Sequence, residues 1–483
     1  MVISNETKRI VIEPLTRVEG HGKVTIHLDE NGEVQRTRLH IVEFRGFERF
    51  MQGRPFWELP VAVQRLCGIC PVSHHLCASK AVDFFVGGQN LTPTAEKMRR
   101  LMHYGQMYQS HALHFFHLCS PDLLFGFDAD PATRNVFGVA DKFPELAKQG
   151  ILMRKYGQEV IKATAGKKVH GTGAIPGGIN KNLSIAERDE LLVDLPQMIL
   201  WAQGALEIAK NYTLDNLDLA TKFAAFLSNH LCIVRADGAL DLYDGGLRAI
   251  GPGGATIFDH VDNRKYLDYI HEEVKPWSYM KFPFIRSLGT EDGWYRVGPL
   301  ARINACDFID TPLAEAARQE FMAVTDGKPN NLSLAYHWAR MIETVHSIEK
   351  IEELLNDPDL QGEDLLSTGD RKLEGVGIIE APRGTLFHHY KIDENDQVLM
   401  ANLIVSTTSN NEPMNRAVES VARRYLSGKE ITEGLLNHIE VAIRAYDPCL
   451  SCATHAMGQM PLNVELFDFE GQKLHGLSKG IAQ

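Results

Sequence analysis

The chain has 483 residues, of which 44% are hydrophobic and 23% charged, with a formal net charge of −12. This is a globular composition without the ~18 uninterrupted apolar residues of a membrane span. Its scattered Lys and Arg argue against a nucleic-acid partner, since phosphate binding needs clustered cations.

The N-terminus, MVISNETKRIVIEP, lacks the apolar core of a signal peptide, so the expected location is the cytoplasm, with the thiols reduced. Val24, Ile26 and Leu28 alternate with polar residues, Glu30-Asn31-Gly32 supplies a turn, and Val34 to Phe44 returns, which predicts a β-hairpin. Thr92-Pro93 is a cap and first-turn pair ahead of Leu101, Met102, Met107, Tyr108, Ala112, Phe115 and Phe116 at near-helical spacing. IPGGIN (175–180) and GPGGAT (251–256) read as turns. Ser184 and Glu187 make a capping box before a second long helix over 188–212, so helices are expected to dominate the middle. GTLFHHYKIDENDQVLMANLIV then predicts another hairpin turning at 394–396, followed by a helix over 413–426. No repeat or low-complexity tract interrupts the chain. The expected fold class is mainly α with small β pieces (α+β), one large helical domain with β-hairpins near both ends.

Eight cysteines are too few for a disulfide scaffold. Four of them form two pairs, Cys67-x-x-Cys70 in RLCGICPVSHH (65–75) and Cys449-x-x-Cys452 in DPCLSCATH (447–455). A C-x-x-C turn lets both sulfurs face one ion, and two such turns brought together make an S₄ site. A lone pair is often a redox pair, half a zinc site, or two packed thiols. Zinc ribbons keep their pairs within about 15–20 residues, so this separation makes a local zinc knuckle improbable, while Cys₄ iron–sulfur ligation stays open.

RVEGHG (17–22), RLCGICPVSHH (65–75), APRG (381–384) and DPCLSCATH (447–455), in that order, resemble the signature set of [NiFe]-hydrogenase large subunits. EFRGFERFMQGRPFWELP, CPVSHHLCASKAVD and DPCLSCATHAMGQMPL are similar to the soluble, cytoplasmic NAD-reducing (bidirectional) branch. A homologous complex I subunit shares the fold but lacks the four cysteines. That scaffold role and a structural zinc protein are the alternatives.

The resemblance implies that Cys67 and Cys449 bind nickel terminally, and that Cys70 and Cys452 bridge it to an iron carrying CO and two cyanides. Glu19 is the implied carboxylate that takes the proton from a terminal cysteine, so Glu19, Cys449 and Arg383 form the expected catalytic set. Arg383 and Thr407 are expected to reach the cyanides, which are otherwise buried anions without partners; V-S-T-T-S-N (405–410) departs there from the family's V-P-S-T-W-N. His74 matches a histidine that hydrogen-bonds near a bridging cysteine, whereas His75 has no such role. A Mg²⁺ is implied near the C-terminal motif, held by Glu48 or Glu43 (the R-G-x-E alignment favours Glu48), the Leu403 carbonyl and His455, with waters completing the octahedron. Cys77, Cys119, Cys232 and Cys306 are expected to be structural thiols.

The implied reaction is H₂ ⇌ 2H⁺ + 2e⁻. The chain has neither a further cysteine cluster for Fe–S centres nor a G-x-G-x-x-G fingerprint after a strand. Electrons are therefore expected to pass to an iron–sulfur small subunit, then to a diaphorase module carrying FMN and NAD. A nickel-insertion factor and a maturation endopeptidase are implied as transient partners. The expected catalytic domain is 1–455, with residues 456–483 a C-terminal extension removed after His455; a permanent strand at VELFDF is the other reading.

Overall fold

A computed structural model describes residues 9–454, 462–467 and 473–479. The expected N-terminal hairpin pairs Gly22–Leu28 with Val34–Ile41, and Arg9–Ile12 adds a third antiparallel strand beside the first. Val24, Ile26, Leu28 and Leu39 are buried beneath it. The turn is set by Asp29, whose Oδ1 accepts from the Asn31 and Glu33 amides at 2.9 Å.

The helical body is built from Pro93–Leu113, Pro144–Ala165, Ile185–Asp215 and Ala335–Leu355. Thr92 caps the first, accepting from the Ala95 amide at 3.2 Å. The first two cross at a glycine pair, where a Cβ on Gly105 would lie 2.8 Å from Val160 and one on Gly157 2.7 Å from the Gly105 carbonyl oxygen. That close approach buries almost the whole circumference of Pro93–Leu113. The capping box at Ser184 and Glu187 is formed in full.

The middle of the chain departs from the expected helices. Asn229–Val234, Gly246–Ile250, Thr256–Val261 and Tyr295–Arg296 make a four-stranded sheet. NHLCIV is buried at every position, and a short apolar run of this kind has no periodicity that separates strand from helix. GPGGAT is the turn between two of these strands, closed by Gly251 N–H on the Ala255 carbonyl at 2.7 Å.

The late hairpin is as expected, Gly384–Ile392 against Val398–Ile404, with a further strand, Glu374–Ala381, on its other side. Ala381 faces Gly384, so APRG is a tight turn between strands. The helices Asn411–Tyr425 and Glu433–Ala445 then lead into the second cysteine motif. One apolar core extends from Ile12 to Ala453. Leu462–Phe467 pairs antiparallel with Lys473–Lys479, so the first four residues of VELFDF lie in a strand, and its last two lie outside the described residues. Among the described residues no helix is long and apolar enough to cross a membrane.

Ser184→Ala removes the side-chain half of a complete capping box and should lower stability by about 1 kcal/mol, read as a shift of the urea midpoint with an unchanged slope.

Candidate metal centre

The two cysteine motifs meet as loops held by backbone contacts. Cys67 follows the short turn Val63–Leu66, and Cys70 sits at the N-terminus of Pro71–Val82, where Pro71 starts the helix. Gln106 and Gln109 both donate to the Ile69 carbonyl, at 3.0 and 2.8 Å. Arg45 donates to the Leu66 and Arg65 carbonyls at 2.6 and 2.8 Å. The opposite loop starts at Asp447, whose φ is +53°, and lies along RVEG. Leu450 N–H donates to the Glu19 carbonyl at 2.9 Å. Gly20, at φ +82°, allows this approach, since a Cβ there would lie 2.6 Å from Ser451 N.

The four thiols converge with all Sγ atoms within 4.8 Å of one another. Cys67 and Cys449 are 3.3 Å apart, Cys70 and Cys452 4.0 Å, and Cys449 and Cys452 2.8 Å. None is more than 5% exposed. Hydrogen bonds from Cys449, Cys452 and Cys70 hold the Cys67 thiol well below its ordinary range, whereas burial pushes Cys449 and Cys452 well above theirs. The cluster thus stabilises a first thiolate, and further ionisation requires a cation in its midst. Four buried, unoxidised cysteine sulfurs form a donor set suited, once deprotonated, to a soft or borderline metal such as nickel.

Beside the cluster, Cys449 Sγ donates to Glu19 Oε2 at 3.0 Å. The Ser451 amide donates to the same oxygen at 3.2 Å, and the Ser451 hydroxyl donates to Oε1. Arg383 is buried on another side, donating to Asp447 at 2.9 Å and to Ser110 Oγ at 3.3 Å. Burial works against its charge, but Asp447 and the neighbouring cysteine sulfurs more than offset that, holding the guanidinium well above its usual value. Arg383 Nε has no partner among the described residues, so a donor remains for an anion in the site.

Thr407 Oγ1 accepts from the Cys449 amide at 3.0 Å, and Thr408 Oγ1 donates to the Ala453 carbonyl at 3.2 Å. Both threonines brace the second cysteine loop. His74, one turn after Cys70, is buried and its Nδ1 meets His388 at 3.2 Å. Burial pushes it down to about 4, so it is a neutral imidazole. His75 bridges Pro60 and Ala174 at 2.7 and 3.0 Å, a structural role.

Of the two candidate carboxylates, Glu48 Oε1 accepts from the Leu403 amide at 2.9 Å, while Glu43 is turned to His21. Glu272 and Lys281, paired at 2.8 Å, sit beside Glu48, and burial raises the Glu48 carboxyl. His455 lies outside the described residues. The preceding carbonyl, of Thr454, accepts from the Arg45 and Gly46 amides at 3.0 and 3.4 Å, just ahead of Glu48 in sequence. Cys77, Cys232 and Cys306 are buried thiols raised by desolvation. Sequence reasoning missed Asp447, Ser451, Arg45, Ser110, Gln106 and Gln109. The first three lie in motifs that were singled out, but the last three carry no signal apart from their helix.

Comparison with known proteins bears on this geometry. A family model described as nickel-dependent hydrogenase matches residues 45–141 and 253–455, and one described as HoxL-like matches 9–44. The NAD-reducing hydrogenase HoxS subunit beta of Cupriavidus necator is 52% identical, with 96% of this chain and 98% of that one covered. A chain of the vhu F420-non-reducing hydrogenase of Methanococcus voltae is 46% identical, over 86% of this chain and 98% of that one. The crystal structure of an NAD⁺-reducing [NiFe]-hydrogenase in the H₂-reduced state superposes with a TM-score of 0.92 at 57% identity, covering 93% of this chain and all of that one. The Ni-Fe-Se hydrogenase of D. vulgaris Hildenborough, at 23% identity and a TM-score of 0.74 over 93% of this chain and 100% of its own, shares the fold.

Gly20→Ala should separate the two loops, because the added methyl meets Ser451 N in a backbone conformation that costs alanine more than about 1 kcal/mol. Alkylation of the metal-free chain under native conditions should then reach Cys449 and Cys452 faster than in the parent; equal rates would mean the loops do not depend on this contact.

Proposed function

The chain belongs to the nickel-dependent hydrogenase family as a large, catalytic subunit, and on that premise we propose that it splits H₂ reversibly at a nickel–iron centre held by Cys67, Cys70, Cys449 and Cys452. Electrons leave through an iron–sulfur small subunit, then through a flavin-bearing diaphorase to NAD⁺, in the cytoplasm. When bound, such a centre, with CO and two cyanides on iron, cleaves H₂ heterolytically and takes up the two electrons. Cys67 and Cys449 would hold the nickel, and Cys70 and Cys452 would be shared between nickel and iron.

The observation that carries this reading is the 3.0 Å contact between Cys449 Sγ, inside the four-thiol cluster, and Glu19 Oε2. A proton arriving on the Cys449 sulfur has an acceptor within hydrogen-bond reach. Both Ser451 donors hold the Glu19 carboxylate in that orientation. Arg383 supplies the positive charge and the free donor that buried cyanides need, with Asp447 fixing the guanidinium plane. Thr407 fixes the Cys449 amide and, through it, the loop facing the iron side. His74 is the neutral imidazole beside bridging Cys70.

Mg²⁺ is assigned to Glu48, the Leu403 carbonyl and His455, on the support of the Glu48–Leu403 contact and of the Thr454 carbonyl bonded at Arg45-Gly46. Glu43 is set aside because it faces His21. NAD⁺ as the final acceptor rests on the 52% identity to a NAD-reducing relative. Nickel-insertion factors and an endopeptidase complete the partners, with residues 1–455 the mature domain. Thr454 is fully buried, so a polar extension beyond His455 must be led out of the core or cut away.

Glu19→Gln should retain nickel and iron yet slow H/D exchange by roughly 10²–10⁴-fold, because an amide fills the space without accepting the proton. Exchange at the parental rate would leave Glu19 a structural residue. Intact-mass measurement of the active enzyme should find a chain ending at His455; a fully active species still ending at Gln483 would contradict removal of 456–483.

A further inference from the structure

A second cluster of metal-binding groups lies in the core apart from the four thiols. His114, Cys119 and His337 bring one ligand atom each to within 4.8 Å of the others, all buried. The backbone accounts for this meeting. In an α-helix, residues five apart point about 140° away from each other, but His114–Cys119 is a π turn between Pro93–Leu113 and Ser120–Phe125. Its i→i+5 geometry puts His114 and Cys119 on one face, and π turns of this kind concentrate at functional sites. His337 arrives from Ala335–Leu355, its ring facing that of His114 with centroids 5.6 Å apart and 17° between planes.

The imidazoles are arranged as metal ligands are. His114 Nε2 donates to the Arg444 carbonyl at 2.7 Å, which leaves Nδ1 as the lone-pair nitrogen. An outer N–H on a backbone carbonyl is the usual way a ligating histidine is oriented. Nδ1 of His114 and Nδ1 of His337 have no partner among the described residues, although the two side chains are only 1% and 2% exposed. Unmatched nitrogens at this depth cost free energy unless something occupies the space between them. Among the described residues, Cys119 Sγ makes a 3.4 Å contact with the Phe115 carbonyl.

We propose that His114, His337 and Cys119 form a second, structural metal site, which takes one thiophilic d¹⁰ cation, copper(I) or zinc(II). On binding, the Cys119 S–H bond is replaced by a sulfur–metal bond and one proton leaves to solvent. Two neutral imidazoles and a thiolate carry one negative charge, so copper(I) leaves the site neutral and zinc(II) leaves it with one positive charge. Arg340, which donates to the Ala445 carbonyl at 3.0 Å, adds a positive charge that acts on the site, and Asp122 a negative one. The site is closed by packed helices, so the ion enters as the chain folds.

The test is the metal content of the assembled enzyme, purified anaerobically from cells grown with zinc or with copper in excess. The parent should carry an equivalent of a d¹⁰ ion in addition to nickel, and X-ray absorption at that ion's edge should show a sulfur and two nitrogens. Cys119→Ser and His337→Gln should each lose this ion while keeping the nickel. The proposal is overturned if the parent retains neither ion, or if the amount is unchanged in both variants. Should the variants fail to fold, the ligand set read from the parent decides, and an ion without a sulfur ligand overturns the site.

Discussion

The structure depends on holding four thiols, contributed by opposite ends of the chain, within bonding distance of one ion with no covalent link between the two loops. The constraint is met by hydrogen bonds to backbone carbonyls, one from a backbone amide and the others from side chains. Leu450 N–H binds the Glu19 carbonyl, Arg45 binds Leu66 and Arg65, and Gln106 and Gln109 bind Ile69. Each lies on a different element, so the N-terminal turn, the long buried helix and the C-terminal loop must all be in place before the donor set exists. Metal binding and completion of the fold are linked through that requirement.

Charge in the core follows the same logic. Arg302 is fully buried between two carboxylates, donating to Glu343 at 2.6 Å and to Glu380 at 2.8 Å. Burial would raise Glu343, but Arg302 and His111 hold it down to about 2. Breaking such a pair costs roughly 3–5 kcal/mol because the remaining charge is stranded. Glu380 is the penultimate residue of the strand that ends at Ala381, and Arg302 also donates to the Ala381 carbonyl at 2.9 Å. The buried ion cluster therefore fixes the turn that presents Arg383 to the thiols.

What could be read from the sequence tracks how local each cause is. The hairpin at Asp29 to Glu33, the caps at Thr92 and Ser184, and the turn at 394–396 are set by neighbouring residues and were legible. The sheet around Asn229–Val234 was not, since tertiary burial on every side erases its alternation. The π turn at His114–Cys119 is equally invisible in composition. For the site, the C-x-x-C pairs and Glu19 stood in short motifs, whereas Gln106, Gln109 and Ser110 act from inside a helix whose spacing records only packing. The choice between Glu43 and Glu48 rested on alignment alone and gained support from which carboxylate reaches Leu403.

The central claim is that the four thiols hold nickel together with an iron bearing CO and cyanide. Infrared spectroscopy of the anaerobically purified enzyme, with metals quantified on the same sample, tests it most directly, because polypeptide does not absorb where metal-bound CO and cyanide do. The account predicts nickel at parity with the chain and a band set from CO and two cyanides that shifts when H₂ is admitted. Zinc at the four thiols with no such bands would contradict it.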